Sequence, residues 1–169
     1  MLYGKRVSKD HPSIEANGAV DEAQAVIGVA RAELERGSEL DVLLVGIERD
    51  LWVLMAEIAT APEDRPKLQA RTTLVTDQMV SALEARIDDL KERTDVPADF
   101  VVPGENRVSA LLDQARTVVR RAERRVLATV QPGSHVLAYL NRLSDLLWTA
   151  ARFYEGVHRL AKEERPGGG

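Results

Sequence analysis

The stretch Arg116-Thr117-Val118-Val119-Arg120-Arg121-Ala122-Glu123-Arg124-Arg125 constrains the fold of this chain more than any other. At about 100° per residue, Leu111, Leu112, Ala115, Val118, Val119, Ala122 and Val126 gather on one arc of a helix. Arg116, Arg120 and Arg124 fall within about 80° of one another on a separate arc, which Glu123 joins. Such a helix packs one side and presents a row of guanidinium groups on another. The bland reading is a solvated face with ion pairs one turn apart. Glu123 is the only acid between Asp113 and the helix end, however, so most of these arginines lack a local partner. A row of unpaired guanidinium groups repels itself until an anion arrives. Fork geometry suits planar oxyanions, and a triphosphate or a partner's carboxylates would serve.

Composition sets the surroundings. A chain of 169 residues is long enough for one domain with a buried core. Aromatics make up only 4%, which favours helix packing over sheet, because sheets draw on β-branched and aromatic residues. The net charge of -4 argues against long-range attraction to nucleic acid or an anionic membrane. The arginine cluster is therefore a local feature. Cysteine is absent, which excludes disulfides, thiolate metal sites and cysteine nucleophiles and fits a reducing compartment. No apolar run approaches the roughly 20 residues that span a bilayer, and the N-terminus lacks the apolar segment of a secretion signal. The chain reads as cytoplasmic, with neither nucleic acid nor membrane as partner.

Apolar periodicity predicts five long helices. Residues 1–15 read as a polar, turn-like segment in which His11-Pro12-Ser13 breaks any early helix. The first helix is expected from about Ala16 to Arg36, with Val20, Ala23, Ile27, Ala30 and Leu34 inward. The second runs from about Leu40 to Thr60, the third from about Leu68 to Arg93. A segment with two prolines, Asp95 to Gly104, cannot be regular helix, and irregular connections of this kind often carry function. The fourth helix runs from about Asn106 to Val130, and the fifth from about His135 to Lys162 with Ser134 as its N-cap. Residues 164–169 read as a disordered tail. Five helices with mostly short connections make an all-α, up-and-down bundle in a single domain.

The fifth helix complements the fourth. Asn141, Asp145, Trp148 and Arg152 share one face, while Leu140, Leu143, Leu147 and Tyr154 form another. Asparagine and aspartate are costly when buried without partners, so beside an arginine-lined neighbour they suggest a polar pocket between antiparallel helices four and five. Other chemistries lack motifs. His11, His135 and His158 have no metal-ligand spacing, no Walker loop occurs, and no Glu-x-x-His pair marks a di-iron bundle.

Three ordered segments carry a resemblance. Phe100-Val101-Val102-Pro103-Gly104, Ala115 to Arg124, and Tyr139-Leu140-Asn141-Arg142-Leu143-Ser144-Asp145-Leu146-Leu147 resemble signatures of the PduO-type ATP:cob(I)alamin adenosyltransferases. Upstream, Gly4-Lys5-Arg6-Val7-Ser8-Lys9-Asp10 and Gly18-Ala19-Val20-Asp21-Glu22 resemble the family's N-terminal motifs. The resemblance implies a five-helix domain over residues 16–163, assembled as a homotrimer with active sites between subunits. It implies transfer of the 5'-deoxyadenosyl group of ATP to cobalamin, with Mg²⁺ accompanying the nucleotide and possible hand-over to an adenosylcobalamin-dependent enzyme. Because cob(I)alamin is itself the nucleophile, no serine, cysteine or acid/base dyad is needed. The protein must orient two substrates and stabilise a charged leaving group.

By the same resemblance, Lys9, Arg120, Arg121, Glu123, Arg124 and Asn141 contact ATP, and Arg120 and Arg124 are the catalytic pair. Phe100 sits under the corrin and displaces the lower axial ligand, and Arg116 pairs with Asp21 of a neighbouring subunit. The sequence also departs from the family pattern. A Thr-Gly-Asp-x-Gly type loop that wraps the triphosphate normally opens the family, and residues 1–15 read as its remnant. Glu105 follows Pro103-Gly104 where glycine is usual, and Asp113 stands where histidine is common. The missing loop motivates an alternative, a non-catalytic cobalamin-binding or chaperone homologue with part of the ATP site lost. A helical scaffold whose arginine face docks an acidic partner is a third reading.

Overall fold

In the computed structural model, which describes residues 1–4, 6–95 and 97–162, the arginine segment lies in one of five long α-helices. They are α1 (Pro12–Ala32), α2 (Glu39–Ile58), α3 (Asp77–Glu92), α4 (Arg107–Val126) and α5 (Val136–Glu155). Short 3₁₀ turns occupy Leu2–Gly4 and Pro62–Lys67. Glu163 and the tail expected at 164–169 lie outside the described residues. Among the described residues no helix is long and apolar enough to cross a membrane.

The starts of the helices follow capping chemistry. Pro12 begins α1 instead of blocking it, because the first helical position needs no N–H donor and proline presets its φ. The Nδ1 atom of His11 accepts from the Ser13 N–H at 3.2 Å. The expected start at Ala16 is thus four residues late. Ser38 caps α2 by accepting from the Asp41 N–H. A capping box opens α4: Asn106 Oδ1 accepts from the Ser109 N–H at 2.9 Å, and the Asn106 N–H donates back to the Ser109 hydroxyl. The cap of α5 falls on His135, while Ser134 accepts from the Val136 N–H at 3.2 Å.

Three helices are shorter than their apolar patterns predict; α4 lacks the expected last turn, stopping at Val126 and not Val130. Helix α3 starts at Asp77, not Leu68, because the preceding backbone donors are used elsewhere. The Gln69 carbonyl accepts from the N–H groups of Thr72, Thr73 and Leu74, and Arg71 takes a positive φ of 60°. Buried Glu57 then accepts from the Val75 N–H at 2.8 Å and pairs with Arg65 at 2.9 Å, tying this connection to α2. The fifth helix ends at Glu155, not Lys162. Gly156 turns the chain at φ 68° while donating its N–H to the Arg152 carbonyl. Beyond it an extended strap runs antiparallel to the Phe100 segment through a Val101–Leu160 bridge.

Small residues let α1 approach α4 closely: Ala16, Ala23 and Ala30 are fully buried between them with Val20 and Ile27. Helix α4 packs on α5 and α1, α3 packs on α5, and α1 packs on α2. The core holds Leu44, Leu51, Leu54, Leu112, Leu140, Leu143, Leu146 and Leu147. Tyr154, expected on the apolar face of α5, is exposed. Fully buried Tyr139 donates its hydroxyl to Asp50 Oδ2 at 2.8 Å. Burial and the adjacent Asp50 charge push its phenol well above the ordinary value, and burial pushes the Asp50 carboxyl up.

Candidate active site along α4 and α5

Antiparallel packing brings the polar edges of α4 and α5 together and leaves two cavities between and beside them. One, of about 400 Å³, is lined by Arg116, Arg120, Arg142, Asp145 and Trp148, with Lys91 reaching in from α3. The other, of about 410 Å³, is lined by Phe100, Asp113, Arg116, Trp148, Arg152 and Lys162. Arg116 and Trp148 belong to both and form their common wall. A somewhat larger cavity of about 480 Å³ lies between α2 and α3, walled mainly by Leu40, Leu43, Ile47, Leu83 and Phe153. It lies away from the arginine row, so chemistry rather than size selects the candidate site.

The arginines divide by face. Arg120 and Arg124 are exposed and make no ion pair or hydrogen bond among the described residues. Arg116 is half-buried, 3.4 Å from Asp113 Oδ1. Arg121 and Arg125 turn away toward α1, where Glu22 meets Arg121 at 2.5 Å and Glu15 meets Arg125 at 3.5 Å. The expectation that most of these arginines lack a partner therefore holds for Arg120 and Arg124 alone. Glu15 and Glu22, seven residues apart on one face of α1, were the signal that could have revealed the other two pairs.

Asn141 is held between two charges. Its Nδ2 donates to Glu123 Oε1 at 3.2 Å, and its Oδ1 accepts from Arg142 Nη2 at 3.2 Å. Arg142 in turn pairs with Asp145 at 2.9 Å. A polar pocket between these helices is present and Asp145 lines it, while Asn141 lies outside its lining; both side chains are partnered. Phe100 stands out at 83% exposed on an irregular segment, an unusual place for a large aromatic. Asp21 is exposed on α1 and Lys9 is exposed in the N-terminal turn beside a Ser8–Asp10 hydrogen bond. Among the described residues neither has a partner, and neither lines the two cavities, nor do Arg121, Glu123, Arg124 and Asn141.

Sequence reasoning missed the depth of Arg152. Placed on a polar helix face, it is fully buried. Its Nη2 meets Asp113 Oδ2 at 2.6 Å and Glu155 Oε2 at 3.2 Å, and its Nε lies 2.6 Å from Glu155 Oε1. The last contact is an ion pair without hydrogen-bond alignment, and Nη1 has no partner. The guanidinium also lies over the Trp148 ring, 5.8 Å from its centroid. Asp113, noted only as a departure from histidine, thus joins Arg116 to Arg152. Among the described residues no three His, Asp or Glu side chains gather as a metal site.

Fold and groove define a class: a helical bundle that presents the free guanidinium groups of Arg120 and Arg124 beside a second chamber fronted by an exposed aromatic. The chain belongs to the cobalamin adenosyltransferase family, whose family model, described as Cobalamin adenosyltransferase, matches residues 1–154. It is 38% identical over 157 residues to the corrinoid adenosyltransferase of Bacillus subtilis (strain 168), covering 89% of this chain and 78% of that protein. The corrinoid adenosyltransferase PduO of Citrobacter freundii is also 38% identical, over 90% of this chain but 45% of its own length. In structure the chain is similar to a single-residue variant of a PduO-type ATP:corrinoid adenosyltransferase from Lactobacillus reuteri complexed with cobalamin and ATP. That likeness has a TM-score of 0.83 at 27% identity, covering 94% of this chain and 91% of that one.

Proposed function

We propose that this chain transfers the 5'-deoxyadenosyl group of ATP to cob(I)alamin, giving adenosylcobalamin and inorganic triphosphate. The observation that carries this is the pairing of two chambers across one wall. On one side the chamber holds Arg120 beside Arg142 and Lys91, with Arg124 free one turn along α4. On the other it opens beside Phe100. Free guanidinium groups stabilise the charge that builds on a departing triphosphate, and a fixed groove orients the two reactants without an acid/base dyad.

Arg120 and Arg124 are the catalytic arginines in this reading. Glu123 and Asn141 hold the nucleotide's polar edge, and Lys9 reaches it from the N-terminal segment. Arg121 joins the ATP set on family resemblance, with Glu22 as its partner within the chain. Phe100 takes the corrin's lower face. Asp21 of a neighbouring copy pairs with Arg116, completing a homotrimer whose sites lie between subunits. The support for that pairing is that Asp21 is exposed and has no partner among the described residues. Mg²⁺ enters with the ATP phosphates, and no protein ligand is assigned to it. The protein works in the cytoplasm and passes adenosylcobalamin to an enzyme that uses it. Incubation with ATP, Mg²⁺ and chemically reduced cobalamin tests the proposal through the adenosylcobalamin spectrum. Tight cob(II)alamin binding without ATP binding or turnover would instead establish a non-catalytic cobalamin carrier.

A further inference from the structure

Phe100 is exposed, so its backbone and not its side-chain packing decides where the ring stands. That backbone is held by the strap after α5. The Ala161 N–H donates to the Phe100 carbonyl and the Val102 N–H to the Arg159 carbonyl, each at 2.8 Å, while Lys162 pairs with Asp99 at 2.8 Å. A two-stranded bridge is marginal in water without further anchoring. The strap leaves α5 through the positive-φ turn at Gly156, and Val157 is 75% exposed, so no apolar anchor follows that turn directly.

The anchor is His158. Its side chain is 12% exposed, and its two ring nitrogens meet two different elements. Nδ1 lies 2.8 Å from Glu155 Oε1 on α5, and Nε2 lies 2.9 Å from the carbonyl oxygen of Asp95, at the start of the segment that carries Phe100. Both partners are oxygen acceptors, and a ring N–H can donate to either of them. An ordinary surface pair between residues three apart contributes little. Here the carboxylate is 1% exposed, and the second bond reaches 63 residues back along the chain. Glu155 is itself held by Arg152, which holds Asp113 beside Arg116. A line of ion pairs and hydrogen bonds thus links the wall of the candidate site to the Phe100 segment.

We propose that His158 is a positioning residue for the corrinoid half of the reaction, tying Asp95 to Glu155 so that the strap fixes the Phe100 segment over its chamber. This rests on the adenosyltransferase reading above. The test uses the full chain with His158→Phe, which keeps a ring but no donors, and His158→Gln, whose amide can donate to one acceptor. His158→Phe should raise the KM for cobalamin about tenfold, the scale of losing a charge-assisted hydrogen bond. The KM for ATP should stay within about twofold, since Arg120 and Arg142 lie across the wall. His158→Gln should fall between, and the amides of Val102 and Ala161 should lose hydrogen-exchange protection in the Phe variant. An unchanged cobalamin KM would overturn the proposal, as would equal rises in both KM values with a lower melting temperature. The exchange measurement needs no turnover. Should the wild-type chain make no adenosylcobalamin, the function proposed above fails, yet unchanged protection in His158→Phe still overturns the latch. Loss confined to those two amides still supports it.

Discussion

Replacing Arg152 with methionine removes the fully buried cation that joins Asp113 to Glu155. The guanidinium side chain is 0% exposed, and its partners Asp113 and Glu155 are 6% and 1% exposed. Methionine fills much of the same volume, so the loss is mainly electrostatic: two carboxylates stay out of water, each deprived of a contact at 2.6 Å. Breaking a buried pair in this way costs about 3–5 kcal/mol. Two effects reduce the figure. Asp113 keeps Arg116 at 3.4 Å and Glu155 keeps His158 at 2.8 Å. The orphaned Nη1 disappears with the guanidinium, relieving about 1 kcal/mol of desolvation. A net loss of about 2–4 kcal/mol follows, and at about 2–4 °C per kcal/mol the melting temperature falls by roughly 4–16 °C. Urea unfolding followed by far-ultraviolet circular dichroism measures the change. The double variant Arg152→Met, Asp113→Leu should recover at least half of it, because one stranded carboxylate is gone. A loss below about 1 kcal/mol, or a double variant less stable than Arg152→Met alone, would refute the reasoning.

Arg120→Ala should raise the KM for ATP by about tenfold or more while the melting temperature moves by less than about 2 °C, because this exposed side chain has no partner among the described residues; an equal loss of stability in calorimetry would contradict it. Tyr139→Phe should cost about 1–3 kcal/mol at neutral pH by leaving half-buried Asp50 without its donor. The Tyr139 phenol is raised in the folded state, so the unfolded chain ionises first. That contribution is therefore complete below about pH 10 and is lost as the pH rises beyond it, at up to about 1.4 kcal/mol per pH unit. The Phe variant should show a flatter alkaline limb in denaturant titrations. Asn106→Ala removes one arm of the capping box of α4 and should cost about 1 kcal/mol, read as a shift in urea midpoint at unchanged slope.

The helices were legible where packing alone decides them. The inward stripe of α4 is the arc from Leu112 to Val126 that the sequence predicts, because a period of 3.6 residues fixes which side chains point inward. What escaped was decided by contacts distant in sequence. The segment before α3 carries helical periodicity, yet Glu57 draws the Val75 N–H out of it. Lys162 reads as continuous with α5, yet Gly156 turns the chain back toward Phe100. Within the site, Arg120 lines a chamber with Arg142 and Asp145, while Asn141 bonds Glu123 and Arg142 and lines neither chamber. Arg121 and Arg125 do not join them, because α1 supplies glutamates to the opposite side of α4. Arg152 reads as one member of a polar helix face in one dimension, and only the neighbouring Asp113 and Glu155 make its full burial tolerable.

A wall that serves two chambers makes their occupants answerable to each other. Whatever tilt a guest in one imposes on the indole of Trp148 or the guanidinium of Arg116 reshapes the room next door. Linkage requires the influence to be equal in both directions: the factor by which one guest changes the other's affinity is the factor it receives in return. Binding titrations run in either order should close to one thermodynamic square, and Trp148→Ala should shrink its coupling toward unity. The strength of that coupling then becomes a property of a shared side chain.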